Sequence, residues 1–458
     1  MKNHPQNKSI ATIILAAGQG TRMKSNVTKV LHQLGGKFLL QHVIDAALPL
    51  TESISVVVGH NSESVKNVIN NNINWVFQKN QLGTGHAVKE AIPSIADNSI
   101  CLILYGDVPL IQTNTLSTLI KKAESTGFSI LTVIQKNPSG YGRIIRNSSQ
   151  AIQSIIEHDD ATPEELEIDE INSGIMAVRG LLLKKYLNEL KPNNSQGELY
   201  LTDIVEKAVK DDVNIASFIC ENASEVMGIN TKNNLAEAER AYQQKLAQSF
   251  MADGLTLKDP SRFDCRGNLI FGSDCIIDVN VIFEGDNQLG NNVVIASNCI
   301  IKNAKIGDHA DIKQNSTIED STIGSHTSIG PFARIRPETR VGDHAKIGNF
   351  VEVKKSSIGN NSKVSHLSYI GDSLVGKDVN IGAGVITCNY DGVNKHQTVI
   401  DDGVFVGSNS QLIAPVTIGK NATIGAGSTI TQDVPSEKLT LSRNKQATIS
   451  KWKRPQKK

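Results

Sequence analysis

The chain reads as two domains of different class, an α/β domain with a mainly parallel sheet followed by a parallel β-helix, and three observations carry that reading. Over positions 10 to 230, apolar runs of strand length alternate with helical segments. Between positions 270 and 430 an aliphatic residue returns every six positions, usually followed by glycine. A stretch rich in Ala, Glu, Gln and Leu, free of Gly and Pro, lies between the two and reads as a helix of about six turns.

Strands of the first domain are expected at residues 10–15, 54–58, 75–77, 100–104 and 130–134. Ligands of such sheets gather at the carboxyl ends of strands. The first strand runs into Leu15-Ala16-Ala17-Gly18-Gln19-Gly20-Thr21-Arg22-Met23. Met23 stands where a dinucleotide fingerprint needs its third glycine, and no G-K-[ST] follows, so neither common phosphate motif is present. Small residues still let backbone N–H groups approach an anion, and Arg22, Lys24 and Lys29 follow to neutralise phosphate oxygens; a bare structural turn is the alternative. Another strand delivers Tyr105-Gly106-Asp107. An aspartate at the tip of a buried parallel strand can hold a hard divalent cation whose shell substrate phosphates and water complete, or it can cap a turn.

The six-residue register runs through Ile270, Ile276, Ile282, Leu289, Ile295, Ile301, Ile306, Ile312, Ile318, Ile323, Ile329, Ile335, Val341, Ile347, Val353, Ile358, Val364, Ile370, Val375 and Ile381, then resumes at Ile400, Val406, Leu412, Ile418, Ile424 and Ile430. Three hexads of strand plus corner close a triangular coil, so aliphatic side chains stack along the axis in a prism of about nine coils, roughly 40 Å tall. Glycines such as Gly324, Gly342 and Gly359 are expected at corners for unusual φ and close approach. Such a repeat alone could be a stiff stalk.

The long gap between Ile381 and Ile400 reads as a surface loop carrying Asn389 and Tyr390. Residues about 18 apart share an edge, so Arg336, Lys354 and Tyr369 are expected to form a basic and hydroxylic strip suited to a sugar phosphate. His366 lies close by in sequence, and imidazole is the side chain that titrates unperturbed near neutrality.

The 458 residues carry 47 basic and 46 acidic side chains, a net charge of +1 that removes any global electrostatic case for nucleic acid or a membrane surface. Six cysteines without CxxC pairs point to a reducing compartment. No run approaches the ~18 apolar residues of a membrane span. Lys2 and Lys8 precede an apolar run, but it continues into the glycine turn rather than a cleavage site. The chain is therefore expected to be cytoplasmic, with domains at 1–231 and 253–458, a helical linker at 232–252, and a solvated basic tail.

At this point the residues resemble a family. The segments 15–23, Lys29-Val30-Leu31-His32, Gln81-Leu82-Gly83-Thr84-Gly85, Tyr105-Gly106-Asp107, Gly140-Tyr141-Gly142-Arg143-Ile144, Glu157-His158, Asn172-Ser173-Gly174 and Gly228-Ile229-Asn230 resemble, in order and spacing, the sugar-nucleotide pyrophosphorylases. With the hexads behind them they resemble the bifunctional family that joins an N-acetylglucosamine-1-phosphate uridylyltransferase to a glucosamine-1-phosphate acetyltransferase, which supplies cell-wall and lipopolysaccharide precursors. That resemblance implies a Rossmann-like nucleotidyltransferase domain, left-handed coiling of the β-helix, and a homotrimer with the tail near a neighbour's acetyl site. It implies UTP and sugar-nucleotide binding by Leu15, Ala16, Ala17, Gly18, Lys29, Gln78, Gly83, Thr84, Tyr105, Gly106, Asp107, Gly142, Glu157, Asn172 and Asn230. Mg²⁺ is implied at Asp107 and Asn230, with Arg22 and Lys29 stabilising developing charge. In the acetyl site it implies His366 as general base, Glu352 orienting it, and Arg336, Lys354, Tyr369 and Asn380 on the sugar phosphate. Ala383, Asn389, Tyr390, Ser408, Ala426 and Arg443 would contact acetyl-CoA. One departure is Thr28, where the family commonly has proline, which bears on the stiffness of the loop carrying Lys29.

Two rival readings stay open: a single-activity pyrophosphorylase with a structural or regulatory β-helix, and a non-enzymatic sugar-nucleotide scaffold. His366, Asn389, Tyr390 and Arg443 separate the first rival, because a stalk has no use for a base beside phosphate-binding cations. Asp107 with Asn230 argues against the second.

Overall fold

The computed structural model describes residues 9–60, 62–69 and 72–455, so Lys2, Lys8, Lys457 and Lys458, which bear on the readings of the termini, lie outside the described residues. The chain forms two compact units that divide between Tyr242 and Gln243, inside the helix Lys232–Ala252.

In the first unit the spatial order of strands is Ala216–Cys220, Phe128–Ile134, Glu170–Arg179, Ile100–Tyr105, Ile10–Ala16, Ser53–Val58, Asn74–Phe77. All pair in parallel except Glu170–Arg179, which is antiparallel to both neighbours. The five strands expected from the sequence are present, each within two residues of its expected bounds. Apart from the half-exposed edge strand Asn74–Phe77, their apolar runs follow from burial on both faces. Ile14, Val56, Leu102 and Leu104 meet helices Leu39–Ala47 and Thr113–Thr126. Ile13, Leu15, Val57 and Ile103 meet Thr84–Ala91, Gly180–Asn188 and Asp203–Lys210. Strand Ile10–Ala16 pairs with Ser53–Val58 on one side and Ile100–Tyr105 on the other. Chain order reverses there, and the carboxyl ends of these strands open a crevice.

In the second unit short parallel strands stack on three faces. Ile329, Ile347, Val364, Ile381, Val406 and Ile424 pair in succession on the first face. The second carries Ile335, Val353 and Ile370, and the third Val341, Ile358, Val375, Ile400 and Ile418. All of these are buried in one continuous core. The unit is a parallel β-helix of hexapeptide repeats.

Four details depart from the expected pattern. Ile270 is 66% exposed, and Ile276 and Ile282 are only half-buried; the inward residues are Ile277 and Phe283, twelve and six before Leu289, with Phe283 meeting Phe263. Adjacent isoleucines at 276 and 277 disguise that register. A second inward ladder stands two residues before each aliphatic, where Ser356, Ser362, Ser368 and Ser373 are buried. Only small side chains fit there, and their hydroxyls satisfy coil carbonyls, as Ser362 Oγ donates to Gly376 O at 2.7 Å. The glycines after the aliphatic residues serve close approach: a Cβ on Gly342 would lie 2.4 Å from Asn360 Oδ1 in the next coil. Left-handed corners fall instead mostly to Asn, Asp and His, including Asn298, Asn315, His326 and Asp378. Finally, the register continues past Ile381 through buried Thr387, whose strand Ile386–Cys388 pairs with Gln411–Ile413. The insertion is thus confined to residues 389–397.

No helix among the described residues is long and apolar enough to cross a membrane. All six cysteines are unpaired.

Candidate active sites

The first site is built on the turn that follows strand Ile10–Ala16. Gly20 has φ 65°, and a Cβ on it would lie 2.7 Å from Lys29 Cβ, so glycine is needed both for the turn and to let Lys29 cross it. Met23, in the place of a third fingerprint glycine, is buried with Leu34, Leu39, Leu110 and Ile229 and anchors the loop. Thr28 has φ −53°, inside the range proline would impose. The family's proline would therefore fit this backbone.

Two adjoining cavities open here, of about 430 Å³ and 610 Å³. Leu15, Ala16, Ala17, Gly18, Lys29, Gln78, Gly83, Thr84, Tyr105, Asp107 and Asn230 line the first. Arg22, Gly142, Glu157 and Asn172 line the second. Gly106 lines neither: its N–H donates to Leu15 O at 2.9 Å, and a Cβ would lie 3.3 Å from that of Ala16, so its role is to let the Asp107 strand run close. Lys24 is exposed and also lies outside the cavities, which leaves Arg22 and Lys29 of the basic trio.

Lys29 Nζ pairs with the Asp107 carboxylate and donates to Asn230 Oδ1 at 3.1 Å. Two oxygens from chain segments far apart in sequence therefore converge on a single cation. Asp107 is fixed by its strand and by Ile229 N, which donates to Asp107 O at 2.9 Å. In the second cavity burial pushes the Glu157 carboxyl above the usual range, partly offset by Thr202 Oγ1, which donates to it at 2.9 Å. Gly142 permits this approach, since a Cβ there would lie 3.1 Å from Glu157 Oε2.

Gln196, Glu198, Tyr200 and Thr202 line the second cavity and were not anticipated. They lie between two helices where no hydrophobic period exists. They carry no regular period either, since Gln196 lies in a turn before Gly197, φ 68°, and Thr202 has helical backbone at the start of the next helix.

The second site lies on the β-helix. Strand Lys363–His366 pairs with Lys346–Asn349, bringing Asn349 beside His366. His366 Nδ1 is hydrogen-bonded to Asn349 Oδ1. The expected orienting residue, Glu352, is committed elsewhere: its carboxylate accepts from Arg336 Nη1 at 2.7 Å, a pair that holds the guanidinium above its ordinary pKa. Within one chain Glu352 stands on the next face, paired with Arg334 and Tyr369.

Arg336, Lys354 and Tyr369 do share that face, though Lys354 pairs with Gly371 and not with Tyr369. The ring reaches them because Gly371 has no side chain: a Cβ there would lie 2.4 Å from Tyr369 Oη. Lys395, from the insertion, joins them. The Lys354 ammonium beside it, by hydrogen bonding and charge, holds its pKa below the usual lysine range. Facing ammonium groups are the arrangement an anion relieves. Sequence reading missed Lys395 because the insertion has no period.

Other expected residues divide between two corners. Ala383, Ser408 and Ala426 stack in register on the His366 corner: Asn409 N donates to Ala383 O, Gly427 N to Ser408 O, and Arg443 Nη1 to Ala426 O at 2.9 Å. Asn389 and Tyr390 stand at the opposite edge of the cationic face, where Asn389 Nδ2 donates to Asp372 and the Asp391–His396 pair, 2.7 Å, closes the hairpin. Asn380 pairs with Lys363 on the face before the His366 corner, so one chain does not bring it to the strip.

A nucleotide-sized crevice at a sheet switch point and a cationic hexapeptide face define a two-domain transferase. The MobA-like NTP transferase domain matches residues 12–161, and the bacterial transferase hexapeptide family matches 320–355 and 397–432. The chain is 57% identical over 452 residues to the bifunctional protein GlmU of Ruthia magnifica subsp. Calyptogena magnifica, covering 98% of this chain and 100% of that one. It is 51% identical to the protein of that name from Marinobacter nauticus, over 97% of this chain and 98% of that one, and 50% identical to that from Methylococcus capsulatus, over 98% of each. The chain belongs to the bifunctional GlmU family. It is a two-activity enzyme that transfers acetyl from acetyl-CoA to glucosamine-1-phosphate and uridylyl from UTP to N-acetylglucosamine-1-phosphate.

Proposed function

We propose that the crevice of the first unit performs uridylyl transfer and the cationic face of the second performs acetyl transfer, with domains at 1–231 and 253–458 joined by the helix between. In the first reaction a phosphate oxygen of N-acetylglucosamine-1-phosphate attacks the α-phosphorus of UTP, a P–O bond forms, and the bond to pyrophosphate breaks. Arg22 and Lys29 neutralise charge that develops on the phosphates, the first cavity holds the nucleotide, and Gly142, Glu157 and Asn172 hold the sugar. The Asp107 carboxylate and Asn230 Oδ1 fit Mg²⁺, because in the structure both already meet one cation, Lys29 Nζ. When bound, the ion supplies further charge neutralisation to the phosphates.

In the second reaction His366 Nε2 takes a proton from the glucosamine amine as it attacks the thioester carbonyl; a C–N bond forms, the C–S bond breaks, and CoA leaves. Arg336, Lys354, Lys395 and Tyr369 hold the phosphate, and Glu352 holds Arg336. The acetyl-CoA residues occupy two corners separated by the cationic face, which supports a site completed between copies in a homotrimer, with Asn380 supplied by a second copy. The reading extends to a cytoplasmic enzyme, in keeping with six free cysteines.

The observation that carries the assignment is the set of facing cations around Tyr369, beside the His366 corner. Replacing His366 by Ala in the full chain is expected to lower acetyl transfer by about 10²–10⁴-fold and to spare uridylyl transfer. Asp107→Ala is expected to do the reverse. Equal loss of both activities in either variant would sink the division of labour.

A further inference from the structure

We propose that a relay of three side chains, Glu90, His86 and Gln78, fixes the Gln78 amide so that the first unit accepts a nucleobase with a ring N–H and rejects one with a bare ring nitrogen. The inference rests on the reading above that the first cavity holds the nucleotide, and it sets the base against Gln78, which lines that cavity.

Gln78 follows strand Asn74–Phe77, lines the first cavity, and is 3% exposed. Its Nε2 lies 3.3 Å from Gly83 O and 3.0 Å from His86 Nδ1. A backbone carbonyl can only accept, so the first contact establishes which end of the amide is the NH₂. Both amide hydrogens are then used if His86 Nδ1 accepts the second. That requires the imidazole proton on Nε2, and Nε2 lies 3.2 Å from Glu90 Oε1. His86 and Glu90 stand four apart on helix Thr84–Ala91, so the helix itself sets their spacing. Each contact thus dictates the next, from an exposed carboxylate to a buried amide.

The consequence is that Gln78 Oε1, which has no partner among the described residues, is the only group the amide can offer a ligand. It is an acceptor. Uracil presents a ring N–H and gains a hydrogen bond, whereas cytosine presents a lone pair at that atom and leaves two acceptors facing each other. A site built to bond a substrate N–H rejects an analogue lacking it far more strongly than a shape-based pocket does. Without His86 as acceptor, only the longer contact to Gly83 O, 3.3 Å, still opposes a turned amide that presents its NH₂ instead.

The test compares UTP with CTP, by kcat/KM with N-acetylglucosamine-1-phosphate and by calorimetric binding, in the full chain. His86→Leu is expected to lower the UTP-to-CTP ratio about tenfold or more, chiefly through UTP. His86→Asn, whose Oδ1 stands near the position of Nδ1, is expected to keep most of the selectivity. Glu90→Leu should resemble His86→Leu, and Glu90→Gln, which can still accept from Nε2, should resemble the unmodified chain. An unchanged circular dichroism spectrum and unchanged N-acetylglucosamine-1-phosphate binding in each variant report an intact first unit. An unaltered ratio in His86→Leu, or equal loss in His86→Leu and His86→Asn, would overturn the relay. If Gln78→Leu leaves UTP binding and selectivity intact, the placement of the nucleobase itself falls; if it abolishes selectivity while His86→Leu does not, only the relay falls.

Discussion

At His366 the neighbouring side chain decides which ring nitrogen can take a proton. With Asn349 Oδ1 on Nδ1, the proton sits on Nδ1 and Nε2 keeps its lone pair. Asn349→Leu is expected to lower kcat for acetyl transfer by about tenfold or more, a fraction of what a positioned base contributes. Asn349→Asp is expected to move the acidic limb of the pH–rate profile to higher pH, since a carboxylate favours the imidazolium. Identical profiles in all three proteins would exclude this role. Glu157 carries the opposite conflict, between binding and stability. Burial raises its pKa in the folded chain, so the contribution of this group to stability is full below its unfolded pKa and falls as pH rises through the raised folded value. Glu157→Gln is therefore expected to raise Tm at neutral pH, to give no gain near pH 4, and to weaken N-acetylglucosamine-1-phosphate binding; thermal scans at the two pH values check the sign. Glu157 could be picked out from the sequence because it lies in a motif segment, and His366 because it lies beside the basic strip and the break in the repeat. Asn349 and Lys395 could not, because one is selected by strand register and the other by the fold of a hairpin.

Among the elements, the β-helix strands were legible from Leu289 onward wherever an aliphatic residue marked the inward position, and illegible where a polar residue did or where the adjacent isoleucines at 276 and 277 disguised it. Thr387 occupies an inward site, and its hydroxyl is satisfied within the coil by Gly371 N at 2.8 Å, so a polar residue stands in an unbroken register. Gly371 serves a further purpose on the outer surface of its own strand, Tyr369–Gly371. Its missing side chain lets the Tyr369 ring lie toward the cations, so Gly371→Ala should displace the ring and raise KM for glucosamine-1-phosphate about tenfold, since misplacement of about 1 Å is costly at a reacting site. Uridylyl transfer should be unchanged. A normal KM for acetyl transfer in that variant would mean that the position of Tyr369 over residue 371 is not used. In the first unit the parallel strands were legible from continuous apolar runs, but Glu170–Arg179 was not, because an antiparallel strand inserted between parallel ones has no separate signature.

At the scale of the whole molecule, the division of acetyl-CoA residues between two corners makes a specific demand. His366→Ala and Asn389→Ala chains should each be impaired alone, yet co-assembled from a mixture they should regain part of the acetyl transfer, because some sites would draw both intact residues from different copies. No recovery in mixed oligomers of verified composition would sink the shared-site reading. The order of apolar and small residues along the chain determined the two fold classes, the location of the phosphate turn and the six-residue core, because burial periodicity is a local property that each segment writes for itself. Only the tertiary structure decided the partners: Lys29 between Asp107 and Asn230, Asn349 on His366, Lys395 against Lys354, and His86 behind Gln78. Those contacts join segments that the fold alone brings together, and the Asn349–His366 pair also depends on strand register, which a shift of one residue would exchange.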